Sequence, residues 1–187
     1  MRTVLVTIFL GLITGCQSPA LERVVGEHWD AKALESLNGW WVDDKSEVCR
    51  VSKNKDVGVV IACLGREKDD DDFSVLNLHC TFTRIGPHRF VFFKGPFERK
   101  GFTFALIVEQ SPETITIANP KDEEFLAMVD DGRLIGEIQQ PERKGRRWPL
   151  IASTADEFVA AIEARGLSNC FDLDNKRQFK RIVPTKE

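Results

Sequence analysis

Residues 74–84 alternate without a break: Leu76, Leu78, Cys80 and Phe82 fall on one side of the chain, and Val75, Asn77, His79, Thr81 and Thr83 on the other. A period of two marks a strand with one buried face. The same alternation recurs over 89–94 and 101–109, where Phe102, Phe104, Leu106 and Val108 share one face and Thr103, Ala105 and Ile107 the other. Shorter apolar runs predict further strands over 40–43, 48–52, 57–64, 114–118, 133–139, 147–152 and 179–183. Turn-forming clusters stand between them: Asn54-Lys55-Asp56, Gly86-Pro87-His88, Gly95-Pro96, Ser111-Pro112 and Lys144-Gly145. Glycine, proline and Asx residues there supply the backbone angles that reverse a chain. Many short strands at short spacing predict a mainly β fold, an antiparallel barrel or sandwich.

Two stretches interrupt the pattern. Thr154 and Glu157 form a capping box ahead of residues 155–165, Phe158, Val159 and Ile162 supply an apolar face, and Gly166 stands at the terminator position. These are the start, face and stop signals of a helix. After Asn119-Pro120, residues 122–129 fit a short helix, although Phe125 to Val129 also fit a strand. Residues 17–20 read as a polar tether, and 21–37 as a weakly helical lead-in carrying Leu34 and Leu37.

The chain opens MRTVLVTIFLGLITGC, with a positive charge at Arg2, an apolar run from Val4 to Ile13 and small residues leading to Cys16. That run is too short to span a bilayer as a helix. The stretch resembles the lipobox of bacterial lipoproteins, with Ile13 where that family most often carries Leu. The resemblance implies that residues 1–15 are a signal peptide, removed as Cys16 is lipidated. Each buried methylene contributes about 0.8 kcal/mol, so two or three acyl chains make a permanent anchor. Gln17 stands where the inner-membrane retention signal of enterobacterial lipoproteins places Asp, so the resemblance implies a lipid-anchored protein of the bacterial cell envelope, at the outer membrane. The expected layout is a tether and lead-in over 16–38 and a single barrel domain over 39–187. With 26 Lys and Arg against 29 Asp and Glu, a net charge of −3, nothing argues for a nucleic-acid partner.

Four cysteines remain beyond Cys16: Cys49, Cys63, Cys80 and Cys170. An even number in an oxidising compartment suggests two disulfides, with three connectivities open. Paired C-x-x-C elements are absent, which argues against a zinc site or redox catalysis. A turn at Asn54-Lys55-Asp56 would bring Cys49 within one strand pair of Ile61 and Cys63, while a turn within 68–72 could instead set Cys63 opposite Cys80.

The order of elements, with Gly39-Trp40-Trp41 as a G-x-W motif in the first strand, is similar to the lipocalin family. That resemblance implies an antiparallel lipocalin-like β-barrel, or a half-open one, with one C-terminal helix and a closing strand. It implies that Trp41 closes the barrel floor and stacks on an arginine near the last strand, Arg181 or Arg177. Lipocalins often tie a mid-barrel strand to the segment after the helix, which implies Cys80 with Cys170 and leaves Cys49 with Cys63. The family's threonine-aspartate-tyrosine turn is missing, because the chain has no Tyr.

Thirteen phenylalanines give an interior without hydroxyl groups, and Phe82, Phe90, Phe92, Phe102 and Phe104 lie in the central strands. They either fill a core or line a pocket for an apolar molecule such as a fatty acid. The acidic run 67–72 lacks the glycine and closing Glu of a calcium loop and reads as a solvated hairpin tip. Arg143-Lys144-Gly145-Arg146-Arg147-Trp148 is a basic turn that either docks on anionic headgroups or is an exposed hairpin with Trp148 packed inward. His28, His79 and His88 have no metal-ligand spacing, and G-x-S-x-G, H-E-x-x-H and P-loop motifs are absent. The expectation is a protein without enzymatic activity, metal or cofactor. Beyond the membrane reached through the N-terminal lipid, two kinds of partner stand. One is an apolar small molecule bound or carried in the barrel; the other is an envelope protein met by a solid-cored interaction module, such as an assembly accessory, stress sensor or hydrolase inhibitor.

Overall fold

The computed structural model describes residues 18–54, 58–66, 73–94, 100–140 and 147–183. Residues 1–17, including the expected signal segment and Cys16, the acidic run 67–72 and the basic residues 143–146 lie outside them. In chain order the elements are β1 (Ala20–Leu21), β2 (Glu27–His28), α1 (Ala31–Ser36), β3 (Gly39–Asp43), β4 (Val48–Asn54), β5 (Gly58–Arg66) and β6 (Phe73–Ile85). There follow β7 (His88–Lys94), β8 (Phe102–Gln110), β9 (Thr114–Ala118), α2 (Asp122–Asp130), β10 (Gly136–Gln139) and β11 (Trp148–Ile151). The chain finishes with α3 (Ala155–Arg165), α4 (Leu167–Cys170) and β12 (Arg177–Ile182).

Strands β3 to β9 form an antiparallel meander, and β12 enters between β9 and β3 to close an eight-stranded barrel. The lipocalin-like architecture expected from the sequence is present, with one difference. The strand after the helices is itself the eighth stave rather than an addition to a finished ring. The strands expected over 133–139 and 147–152 lie outside the ring, as a β10–β11 hairpin joined through β1 to β8. The lead-in is helical only in α1, where Asp30 Oδ1 accepts the Ala33 N–H at 2.7 Å. Its earlier part is held as strand, with Ala20 and Leu21 fully buried. Residues 122–130 are helical, which resolves the choice between helix and strand there.

Two cores result. Leu37, Trp41, Val51, Leu78, Phe82, Val91, Phe93, Ile107 and Ile117 fill the barrel interior. A second cluster lies outside the wall, where Phe90, Phe92, Phe104 and Leu106 meet Phe125, Met128, Phe158, Ile162 and Phe171 from the helical segments. Strands β7 and β8 are therefore buried on both faces, and their central residues are apolar at consecutive positions.

Candidate functional site

Of the five phenylalanines expected to line a pocket, only Phe82 faces the barrel interior. Phe90, Phe92 and Phe104 sit on the outward parity of β7 and β8 and stack under the helices, with Phe104 5.3 Å from Phe125 and 5.4 Å from Phe158 between ring centroids. Phe102 packs against the edge of the same outer cluster. The pocket assignment is corrected accordingly: a covering layer of helix made the phenylalanine-rich face the outer one. The interior space is wholly apolar, about 60 Å³, and is lined by Leu37, Trp41, Ile61, Cys63, Phe82 and Phe179 among others.

Cysteine chemistry divides along the same wall. Cys49 and Cys63 are directly opposed in the β4–β5 register and form a disulfide on the interior face. Cys80 and Cys170 are both free thiols, contrary to the expected second bridge. Cys80 belongs to the interior cluster and Cys170 to the outer one, so the sheet stands between them. Burial pushes the Cys170 thiol up to about 11, with the Glu124 charge adding to it, and burial raises the Cys80 thiol as well. Neither is ionised near neutral pH, which is poor preparation for a nucleophile.

Strand β12 carries an arginine at each end of its inward face. At the floor Arg181 lies over the Trp41 ring, 4.7 Å from its centroid. Its guanidinium donates to the carbonyls of Pro112 at 2.8 Å, Asn38 at 2.9 Å and Ser36. Trp41 Nε1 donates to Leu37 O at 2.9 Å. Gly39 explains its own place in the motif: at φ +153°, a Cβ there would stand 3.0 Å from Arg181 Nη1. At the other end Arg177 takes no part in that stack. It donates to Asp43 Oδ2 from Nε at 3.0 Å and also from Nη2, and to Glu47 Oε2 at 2.6 Å. All three side chains are at most 7 % exposed. Burial pulls the guanidinium pKa down, but hydrogen bonds and charge from Asp43 and Glu47 overcome it and leave it raised. Sequence reasoning missed this cluster, since Arg177 lies 130 or more residues from both of its carboxylates. It is a clasp rather than a reaction centre: every charge has a partner, and the effect is to fasten β12 onto the β3–β4 hairpin.

The remaining candidate is the wall that the helices do not cover. On the outward parity of β12, β3, β4, β5 and β6, the registered row Lys180, Val42, Val48, Leu64, Val75 puts four apolar side chains side by side. The next row adds Ile182, Trp40, Arg50 and Ala62, with Arg50 5.5 Å from the Trp40 ring. Val75 is 63 % exposed, Trp40 50 %, Leu64 43 % and Ile182 41 %. The strand-borne charges of these two rows are Arg50 and Lys180, with no carboxylate. The signal was available in the sequence: Val42, Val48, Leu64 and Val75 occupy the face that a half-buried strand gives to polar residues.

Among the described residues, no three His, Cys, Asp or Glu side chains come together in a way that could hold a metal ion, and no helix is long and apolar enough to cross a membrane. No protein-family model, curated protein or solved structure matches the chain.

Proposed function

We propose that this chain is a non-enzymatic, lipid-anchored protein of the bacterial envelope that acts as an interaction module through its bare barrel wall. The observation that carries the reading is the pair of registered rows built on Val42, Val48, Leu64 and Val75, with Trp40 and Ile182 beside them. Contiguous exposed apolar surface of this kind marks an interaction site. The carrier reading has less support. An interior space of about 60 Å³ compares with about 300–1,000 Å³ for pockets that enclose drug-sized ligands.

The partner is a protein face with an apolar centre and carboxylates at its rim, because Arg50 and Lys180 are the strand-borne charges at hand. The anchor argues against the anchoring membrane itself as the occupant. Ser18 is two residues from Cys16, a reach of at most about 7 Å. From Ser18 the chain enters β1, which leaves the ring at β8, four staves from β4 and so diametrically opposite it. The wall therefore faces away from the bilayer that holds Cys16.

A photo-reactive residue placed at Val75 in the full-length, exported protein tests this, with Asp156 on α3 as the control position. The expected result is a discrete adduct from Val75 and none from Asp156, lost on Leu64→Lys, with the adduct peptide bearing carboxylates around apolar residues. Equal labelling from both positions, or retention of an acyl lipid by the purified protein in native mass spectrometry, overturns the reading. Cys16→Ala should release the protein from the membrane fraction, and unchanged partition would sink the anchor.

A further inference from the structure

At the closed end of the barrel a strap of chain runs along the end of β6. Gly26, at φ +91°, lies so close to β6 that a Cβ there would stand 2.4 Å from Arg84 O. Glu27 pairs with Arg84 and His28 with Thr83, the Trp29 N–H donates to Phe82 O at 3.0 Å, and the Trp29 and Phe82 rings sit 5.2 Å apart. Between this strap and the strand ends is a groove of about 320 Å³. Its barrel side consists of Arg84, Arg89 and Gln110.

We propose that this groove is an oxyanion site in which Arg84 and Arg89 together hold a phosphate group. The two arginines are directly opposed in the β6–β7 register, on the inward parity. Like charges placed so destabilise a sheet. A structural role would neutralise them, as Asp43 and Glu47 neutralise Arg177 at the other end. Here Arg89 Nη1 donates only to the neutral Gln110 Oε1, at 3.1 Å, and neither guanidinium pairs with a carboxylate among the described residues. The carboxylates that border the groove do not serve them: Asp30 Oδ1 caps α1, and Glu27 is exposed and forms no ion pair with either arginine. Two planar forks side by side match the oxygens of one phosphate, and the fixed strap holds the opposite wall in place. The groove is large enough for the phosphate and a small organic group attached to it. That group is either a soluble ester or a lipid headgroup, and the same chemistry serves both.

Titration of the isotope-labelled chain with inorganic phosphate at constant ionic strength tests the site, read at the arginine Nε–H and Trp29 indole N–H resonances. Saturable shifts are expected at Arg84, Arg89 and Trp29, with affinity falling about tenfold in Arg84→Gln or Arg89→Gln. Arg89→Lys, which keeps the charge and loses the fork, falls between. Both side chains reach solvent, so the thermal midpoint should hold in all three variants. Shifts that stay linear with phosphate, or saturation that survives both Gln substitutions, overturn the site. A second arm separates the sources. Saturation by glycerol phosphate assigns a soluble ester, whereas Arg84-dependent binding to phosphatidylglycerol vesicles without it assigns a headgroup.

Discussion

Thr83, paired with His28 of the strap, is fully enclosed, yet its hydroxyl finds no hydrogen-bond partner among the described residues. A buried polar group left unsatisfied costs stability, and removing it with an isostere recovers that cost. Thr83→Val should leave the urea midpoint unchanged or raise it, by up to about 1 kcal/mol. Arg177 predicts the reverse. Arg177→Met leaves Asp43 and Glu47 enclosed together without a cation, a change that should cost about 3–5 kcal/mol in the same measurement. For the thiols the expectation is kinetic. Cys170, pushed up to about 11 by burial and Glu124, and Cys80, raised by burial, should both resist iodoacetamide in the native protein at neutral pH and react once it is unfolded.

Helix α3 shows how a local signal survives into the fold. The Thr154 N–H donates to Glu157 Oε2 at 2.8 Å, and the Glu157 N–H donates to Thr154 Oγ1 at 3.3 Å, so the capping box read from the sequence is formed. Thr154→Ala should cost about 1 kcal/mol. The hydrogen bonds from Thr154 hold the Glu157 carboxyl below its ordinary value. A depressed folded-state pKa contributes stability above the unfolded value and loses it as pH falls through the folded one. The backbone N–H at 154, the larger cause, survives in Thr154→Ala, so only the share owed to the hydroxyl is lost, and the wild-type advantage should shrink slightly in acid below the ordinary Glu range. Strand positions, this helix and the Cys49–Cys63 pair were legible because each is fixed by neighbours a few residues away or by one hairpin. Which face of β7 and β8 is inward was not legible. Phe90, Val91, Phe92 and Phe93 are apolar on both parities, and only the later helices decide that Phe92 belongs outside. The unformed Cys80–Cys170 bridge is the same error at another site, since it needed two residues on one side of a wall that separates them.

At the scale of the whole molecule, the ring is closed by one late strand, which its two arginines clasp at opposite ends: Arg177 to Asp43 and Glu47, and Arg181 to the floor carbonyls. One half of the wall is then covered by α2, α3 and α4, and the other is left uncovered by the described residues. Two outward-facing apolar residues, Phe92 and Val75, are equivalent by strand parity and differ only in what lies over them. A carboxylate is therefore a probe of coverage. Phe92→Glu puts an unpaired charge against Phe90 and Phe104 inside the fully buried outer cluster and should cost more than about 4 kcal/mol or prevent folding. Val75→Glu should change stability by no more than about 0.5 kcal/mol, because solvent already reaches that position. The same substitution sets a negative charge at the β6 end of the Val42, Val48, Leu64, Val75 row, and a partner with an acidic rim should then be repelled. Loss of binding with an unchanged denaturation midpoint in Val75→Glu separates a surface kept for recognition from one kept for folding. A fall of several kcal/mol instead would mean that some part of the chain covers this wall.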